Sequence, residues 1–327
     1  MSIPVISVSN LRKRFNLEAG FFAPVGRYVY AVNGISFNIG RNESYGLVGE
    51  SGCGKTTTAR LLVRMYRADE GGIVFREDNG NALDVGKLKG RGLKSYREKV
   101  KYIFQDPARS LNPRMTIYKV LSSGAKWSES KNGMGEKQLR EEASSLLEEV
   151  GLSPDDLERR PAEFSGGQRQ RISIARGLMM NPSLLICDEV VSALDVSIQG
   201  QILNQLLDIR KKREISFLFI AHDLKVASFF CDRIGVMYRG EIMEEAPAAS
   251  LWKDHLHPYT ELLFAAGGYN TAGKEETPSI IADEKSAESK AIGCAFAHRC
   301  PYVKDECRNT KPLLREAGTS HFIRCLR

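Results

Sequence analysis

Nowhere along the 327 residues is there a run of about 18 apolar residues, the least that a helix needs to cross a bilayer. The opening stretch, MSIPVISVSNLRKRF, lacks the charged-then-apolar order of a secretory signal. The expectation is a chain made and kept in the cytoplasm, peripheral to the inner face of the cell membrane if partners hold it there. There is no internal repeat and no sustained heptad run, which argues against solenoids and long coiled coils. No two cysteines stand in C-x-x-C spacing, so the common paired zinc modules are not indicated. Single-sign charge blocks are also missing: the net charge of +7 is spread among acids and bases along the chain, and nucleic acid is not an expected partner.

What is present suits one large α/β domain with an appendage. Hydrophobic residues at 42% allow a sizeable core, and charged residues at 27% are ordinary for a water-exposed surface. Val5–Val8, Tyr28–Ile39 and Tyr45–Val48 read as strands, and a helix is predicted over Thr56–Met65, which holds no Gly or Pro. Residues 68–100 read as turns and short strands with a basic loop. A helical region follows over 106–160, with Glu136–Val150 as its clearest amphipathic helix and Gly151 placed to end it. Beyond it, the apolar runs Leu184–Cys187 and Phe217–Ile220 alternate with a helix over Ile198–Lys212, which predicts a parallel sheet. Ile234–Tyr238 and Glu241–Glu244 flank a turn at Arg239-Gly240. Residues 267–292 are polar and read as a linker between a domain at 1–266 and a tail at 293–327.

Gly49-Glu50-Ser51-Gly52-Cys53-Gly54-Lys55-Thr56 fills every fixed position of G-x-x-x-x-G-K-T between a predicted strand and a predicted helix. Glycines let backbone N–H groups curl toward phosphates, and the helix N-terminus adds a favourable dipole. Lys55 is expected on the β- and γ-phosphates, with Thr56 on Mg²⁺ and Thr57 beside it. The apolar run ending in Asp188-Glu189 supplies a carboxylate to the same Mg²⁺ and a residue placed to polarise the attacking water.

Phe164-Ser165-Gly166-Gly167-Gln168-Arg169-Gln170-Arg171 resembles the signature segment of ABC ATPases. Gln105 resembles that family's Q-loop glutamine, Ser192-Ala193-Leu194-Asp195 its D-loop and His222 its switch histidine, all in family order. The resemblance covers residues 5–265. It implies a P-loop NTPase fold with a RecA-like parallel core, an antiparallel β subdomain and a helical subdomain. It further implies Gln105 and Asp188 on Mg²⁺, Glu189 and His222 in catalysis, and Ser165–Gln168 on the nucleotide of a second subunit in a head-to-tail sandwich. An aromatic is expected against adenine, with Phe15 and Tyr28 as candidates and Tyr30 third. In one place the chain departs from the family: Val190-Val191 follow the glutamate where Pro-Thr is usual.

Asp106–Arg114, His257-Pro258-Tyr259-Thr260 and the tail together resemble the second ATPase subunit of oligopeptide or dipeptide permeases. The implied partners are a second ATPase subunit, two membrane permeases and an extracytoplasmic peptide-binding protein. Glutathione, nickel complexes and sugars stand as alternative cargoes, and a non-transport ABC protein as a different class. In that subfamily the tail cysteines, here Cys294, Cys300, Cys307 and Cys325, can hold a 4Fe-4S cluster. Zinc, with His298 or His321 as further ligands, and free thiols are the other readings. Cys53, Cys187 and Cys231 read as buried small residues.

Overall fold

The computed structural model describes residues 3–16, 28–125, 128, 131, 133–268 and 292–327. The linker expected at 267–292 lies almost wholly outside them, so its order is not a matter for this structure.

Among the described residues, two sheets organise the chain. The larger has eight strands in the order β11-β12-β10-β9-β3-β8-β7-β6. Its centre is parallel: β3 (Ser44–Val48), β6 (Val100–Ile103), β7 (Leu184–Asp188), β8 (Ser216–Ala221) and β9 (Arg233–Tyr238) run the same way. Strands β3, β7 and β8 are buried at every residue, because layers cover both faces of the sheet. Alternate side chains serve the two layers: Leu185, Cys187, Phe217 and Phe219 join one core, Leu184, Ile186, Leu218 and Ile220 the other. Each such burial contributes roughly 1.5–3 kcal/mol before entropy is counted.

Register decides what this sheet can do. Val48 lies opposite Ala221, Asp188 opposite Ile220 and Ile103 opposite Cys187. The carboxyl ends of four parallel strands are therefore level, and whatever follows each strand emerges at one edge.

The second sheet is antiparallel, in the order β2-β1-β4-β5. It comprises β1 (Ile6–Asn16), β2 (Tyr28–Ile39), β4 (Glu70–Arg76) and β5 (Ala82–Asp84). Strand β1 runs eight residues past the expected end at Val8, carried by pairing with β2 through several register shifts. Helix α1 (Lys55–Leu62) follows β3 and ends three residues short of the expected Met65. The stretch expected as a basic loop is helix α2 (Gly90–Lys99). It is fixed by tertiary contacts: Tyr96 is buried and donates to Leu62 O, and Arg97 donates to Val63 O and Arg64 O, carbonyls at the end of α1.

The helical region consists of α3 (Pro107–Ser110), α4 (Ile117–Ser122), α5 (Glu136–Glu149) and α6 (Gly166–Leu178). Gly151 takes φ 69° just past α5, as a helix terminator should. Helices α7 (Val196–Arg213) and α8 (Leu224–Phe230) complete the parallel layers. The turn expected at Arg239-Gly240, both at positive φ, joins β9 to β10 (Glu241–Pro247).

After α9 (Ala248–Lys253) and α10 (Pro258–Ala266), the tail forms α11 (Asp305–Asn309), β11 (Arg315–Gly318) and β12 (His321–Ile323). Strand β12 pairs antiparallel with β10, so the tail extends the large sheet. The joint is anchored by Glu244, which is wholly buried and accepts from the N–H groups of Leu256 and His257, the hydroxyl of Thr260 and Nε2 of His321.

Candidate functional site

The loop between β3 and α1 curls because its glycines take conformations closed to other residues. Gly54, at φ 112°, caps α1, and a Cβ there would lie 2.0 Å from the carbonyl oxygen of Ala31. Lys55, nearly buried, donates to the carbonyl oxygens of Gly49 (2.6 Å) and Glu50 (2.9 Å) and so points into the mouth of its own loop. At the next residue, Thr56 Oγ1 donates to Asp188 Oδ1 at 3.1 Å. A hydroxyl from the start of α1 and a carboxylate from the end of β7 thus share one point, the hard oxygen pair that Mg²⁺ prefers.

Glu189 follows at φ 49°, a strained left-handed backbone that turns its carboxylate out of the strand line. Its N–H donates to Ile220 O, and Gln105 Nε2 donates to its Oε2 at 2.7 Å. His222, just past β8, lines a cavity with Glu189, Ser192 and Gln199. The residues expected from three separate segments thus meet at the level edge of the sheet. Val190 and Val191 are buried, and Val191 also lines the cavity with His222.

Ser165 caps α6: its Oγ accepts from Gln168 N, and Gln168 Oε1 accepts from Ser165 N. The first-turn N–H groups at Gly166 and Gly167 have no intrahelical partner, and Gly166 is exposed. Contact between these groups and a second nucleotide would require a second chain.

The aromatic candidates separate by strand geometry. Phe15 pairs with Val29, whereas Tyr28 and Tyr30 pair with Asn16 and Arg14, so Phe15 lies on the opposite face of the sheet from both tyrosines. Phe15 meets Tyr66 edge-on at 5.4 Å, and Arg14 stacks on Tyr28 at 4.5 Å. All three rings remain more than a third exposed.

Three contributors were not legible from the motifs. Tyr102, on β6, donates its hydroxyl to Asp188 Oδ2. Burial and the neighbouring Asp188 carboxylate push the Tyr102 phenol well above its ordinary range, so it stays a donor. Tyr259 accepts from Glu50 N at 3.0 Å. Arg299 forms a two-pronged ion pair with Glu50, at 2.9 and 3.0 Å.

The tail cysteines, all free, line a single cavity with Phe296, Pro258 and Tyr302. Burial pushes the Cys294 thiol up to about 11 and raises Cys300 as well. Among the described residues no group of three or more metal-ligating side chains is close enough to hold an ion. His298 bonds to the Tyr238 hydroxyl and His321 to Glu244, so neither faces the cavity and the zinc reading loses both as ligands here. Cys53, Cys187 and Cys231 are buried with raised thiol pKa values, as expected of small core residues. Among the described residues no helix is long and apolar enough to cross a membrane.

Comparison with known proteins gives two family matches: ABC transporter over residues 32–192, and oligopeptide/dipeptide transporter, C-terminal region, over 243–307. The chain is 39% identical to the oligopeptide transport ATP-binding protein AppF of Bacillus subtilis, over 98% of this chain and 96% of that protein. It is 41% identical to a putative peptide import ATP-binding protein of Brucella ovis, over 99% of this chain and 98% of the relative. Among solved structures, the ATP-binding cassette MJ0796, a dimer in a post-hydrolysis state bound to ADP and Pi, matches with TM-score 0.64 and 25% identity, covering 74% of this chain and 98% of that one. CbiO1 of Clostridium perfringens, part of the transporter complex cbiONQ, matches equally well (TM-score 0.64, 25% identity, 77% and 91% covered).

Proposed function

Since the chain belongs to the ATP-binding subunits of oligopeptide/dipeptide ABC transporters, we propose that it hydrolyses ATP at the level edge of its sheet to drive import of di- and oligopeptides. The observation that carries this reading is the meeting of Lys55, Thr56, Asp188 and Glu189 at that edge, with Thr56 hydrogen-bonded to Asp188.

In this reading residues Gly49–Thr57 cradle the phosphates, and Lys55 exchanges its two loop carbonyls for phosphate oxygens. Thr56, Asp188 and Gln105 are the residues that would hold Mg²⁺, which when bound would supply positive charge against the phosphates. Glu189 orients the water and accepts its proton, and Gln105, bonded to Glu189 in this structure, would have to give up that contact to serve as a metal ligand. His222 reaches the γ-phosphate from the cavity it shares with Glu189. Phe15 or Tyr28 stacks on the base. Ser165, Gly166, Gly167 and Gln168 offer an exposed helix start to the nucleotide of an opposing ATPase subunit. Loss of the γ-phosphate then opens the pair, and the movement passes to two permeases fed by an extracytoplasmic peptide-binding protein. The subunit works at the cytoplasmic face of the membrane.

Residues 1–266 form the ATPase domain in this account and 293–327 the cysteine-bearing extension. Four free thiols line one cavity, and a 4Fe-4S cluster, which would hold them as thiolates against the rise that burial imposes and so clamp the tail, is favoured over zinc. Iron and acid-labile sulfide counted in chain purified without air test that point.

The function is tested by uptake of labelled di- and oligopeptides in cells carrying this chain or Glu189→Gln. Uptake abolished with the protein still at the membrane supports the reading; unchanged uptake refutes peptide as the cargo.

A further inference from the structure

Arg299 belongs to the tail, one residue before Cys300, yet its guanidinium lies against the phosphate loop, 249 residues away in sequence. Both of its terminal nitrogens bond to Glu50, at 2.9 and 3.0 Å, and its side chain is only 5% exposed. Such a fork-on-carboxylate pair fixes orientation as well as distance. The guanidinium also sits over the rings of Tyr238 (5.8 Å) and Phe296 (6.0 Å), which pin it from the side of the core and the side of the tail.

Glu50 is the second residue of the loop, and it is held at three points. Its N–H donates to the Tyr259 hydroxyl, its carbonyl accepts from Lys55 Nζ, and its carboxylate meets Arg299. A bare carboxylate here would repel the triphosphate that Lys55 and the loop amides are built to attract. Pairing with Arg299 cancels that charge and removes the carboxylate's freedom to swing toward the phosphates.

We propose that Arg299 is a positioning residue for nucleotide, through which the docked cysteine-bearing tail and MgATP binding support each other. The inference rests on the reading that residues 49–56 hold the phosphates. By linkage the effect is reciprocal: whatever seats the tail tightens nucleotide binding, and nucleotide steadies the tail.

The test is a double-mutant cycle on the full chain, titrating a fluorescent ATP analogue with Mg²⁺. Arg299→Gln leaves Glu50 unpaired and is expected to weaken binding about tenfold, or about 1.4 kcal/mol. Arg299→Lys keeps the charge without the fork and should lose about threefold. Glu50→Gln alone sets the reference for the cycle, and adding it to Arg299→Gln should bring binding back to that reference, because the repelling charge is gone. A tail contact of purely structural value would show no such rescue. Binding by Arg299→Gln equal to wild type, or a double variant as weak as Arg299→Gln alone, overturns the inference. Should Arg299→Gln be too unstable to purify, the contrast of Arg299→Lys with and without Glu50→Gln decides it on the same criterion. A wild-type chain that fails to bind the analogue overturns the nucleotide reading itself, and this inference with it.

Discussion

Lowering the pH should unseat the junction between α10 and the tail before it damages the rest of the molecule, and the reason is His257. The ring is 1% exposed and its Nδ1 accepts from Tyr259 N at 3.0 Å, capping α10. An accepting nitrogen must be unprotonated, so the cap exists only in the neutral ring. Burial lowers the His257 pKa to about 4, against the pull of the Glu244 carboxylate and of a hydrogen bond to the Arg324 backbone. A free histidine titrates near 6.5, so between these values the unfolded chain binds the extra proton. Stability is then fully present above about pH 6.5 and is lost as the pH falls toward 4. The shift corresponds to a total of about 3 kcal/mol, of which about 2 kcal/mol is gone at pH 5. Asn at the same place can cap the helix but cannot titrate. Urea unfolding of wild type and His257→Asn at pH 7.5 and 5.0 therefore isolates the term, since the carboxylates common to both cancel. Wild type should lose about 2 kcal/mol more than the variant across that interval. Equal losses would refute the assignment of this proton to His257.

Two further outcomes are expected. Tyr102→Phe removes the hydroxyl on Asp188 and should raise the Mg²⁺ concentration for half-maximal ATPase activity severalfold with little change in stability; an unchanged Mg²⁺ titration would show the hydroxyl to be idle. Glu244→Ala strands four donors at a buried point and should cost about 3–5 kcal/mol, read as protease sensitivity of the tail at pH 7 while the phosphate-loop region stays resistant; a tail as resistant as wild type would contradict it.

The parts of the site that local sequence determines were legible. A loop that must curl around phosphates needs glycine where φ is positive, and Gly54 can have no Cβ because Ala31 O stands 2.0 Å away. Strands buried on both faces advertise themselves as unbroken apolar runs, as Leu184–Cys187 and Phe217–Ile220 do. What was not legible depends on partners far along the chain. Helix α2 reads as a basic loop because Gly90 and Gly92 carry weak helix preference and its charges show no apolar period, and Tyr96 and Arg97 gripping the end of α1 hold it in place. Tyr102 and Arg299 find their carboxylates 86 and 249 residues away, and no spacing rule reaches that far. The extra length of β1 was hidden by its polar second half, which pairs through its backbone rather than by apolar alternation.

Because β12 closes the large sheet against β10, the order in which a ribosome delivers the chain acquires weight. Strand β10 emerges some 75 residues ahead of its neighbour. At roughly 5–20 residues per second that interval is on the order of 4–15 s. During it the sheet carries a raw edge of unsatisfied amides and carbonyls, the kind that recruits strands from other chains. Elongation speed over the intervening segment, and any chaperone that shields β10 meanwhile, therefore bear on how much newly made chain reaches its native partners rather than a misassembled pair.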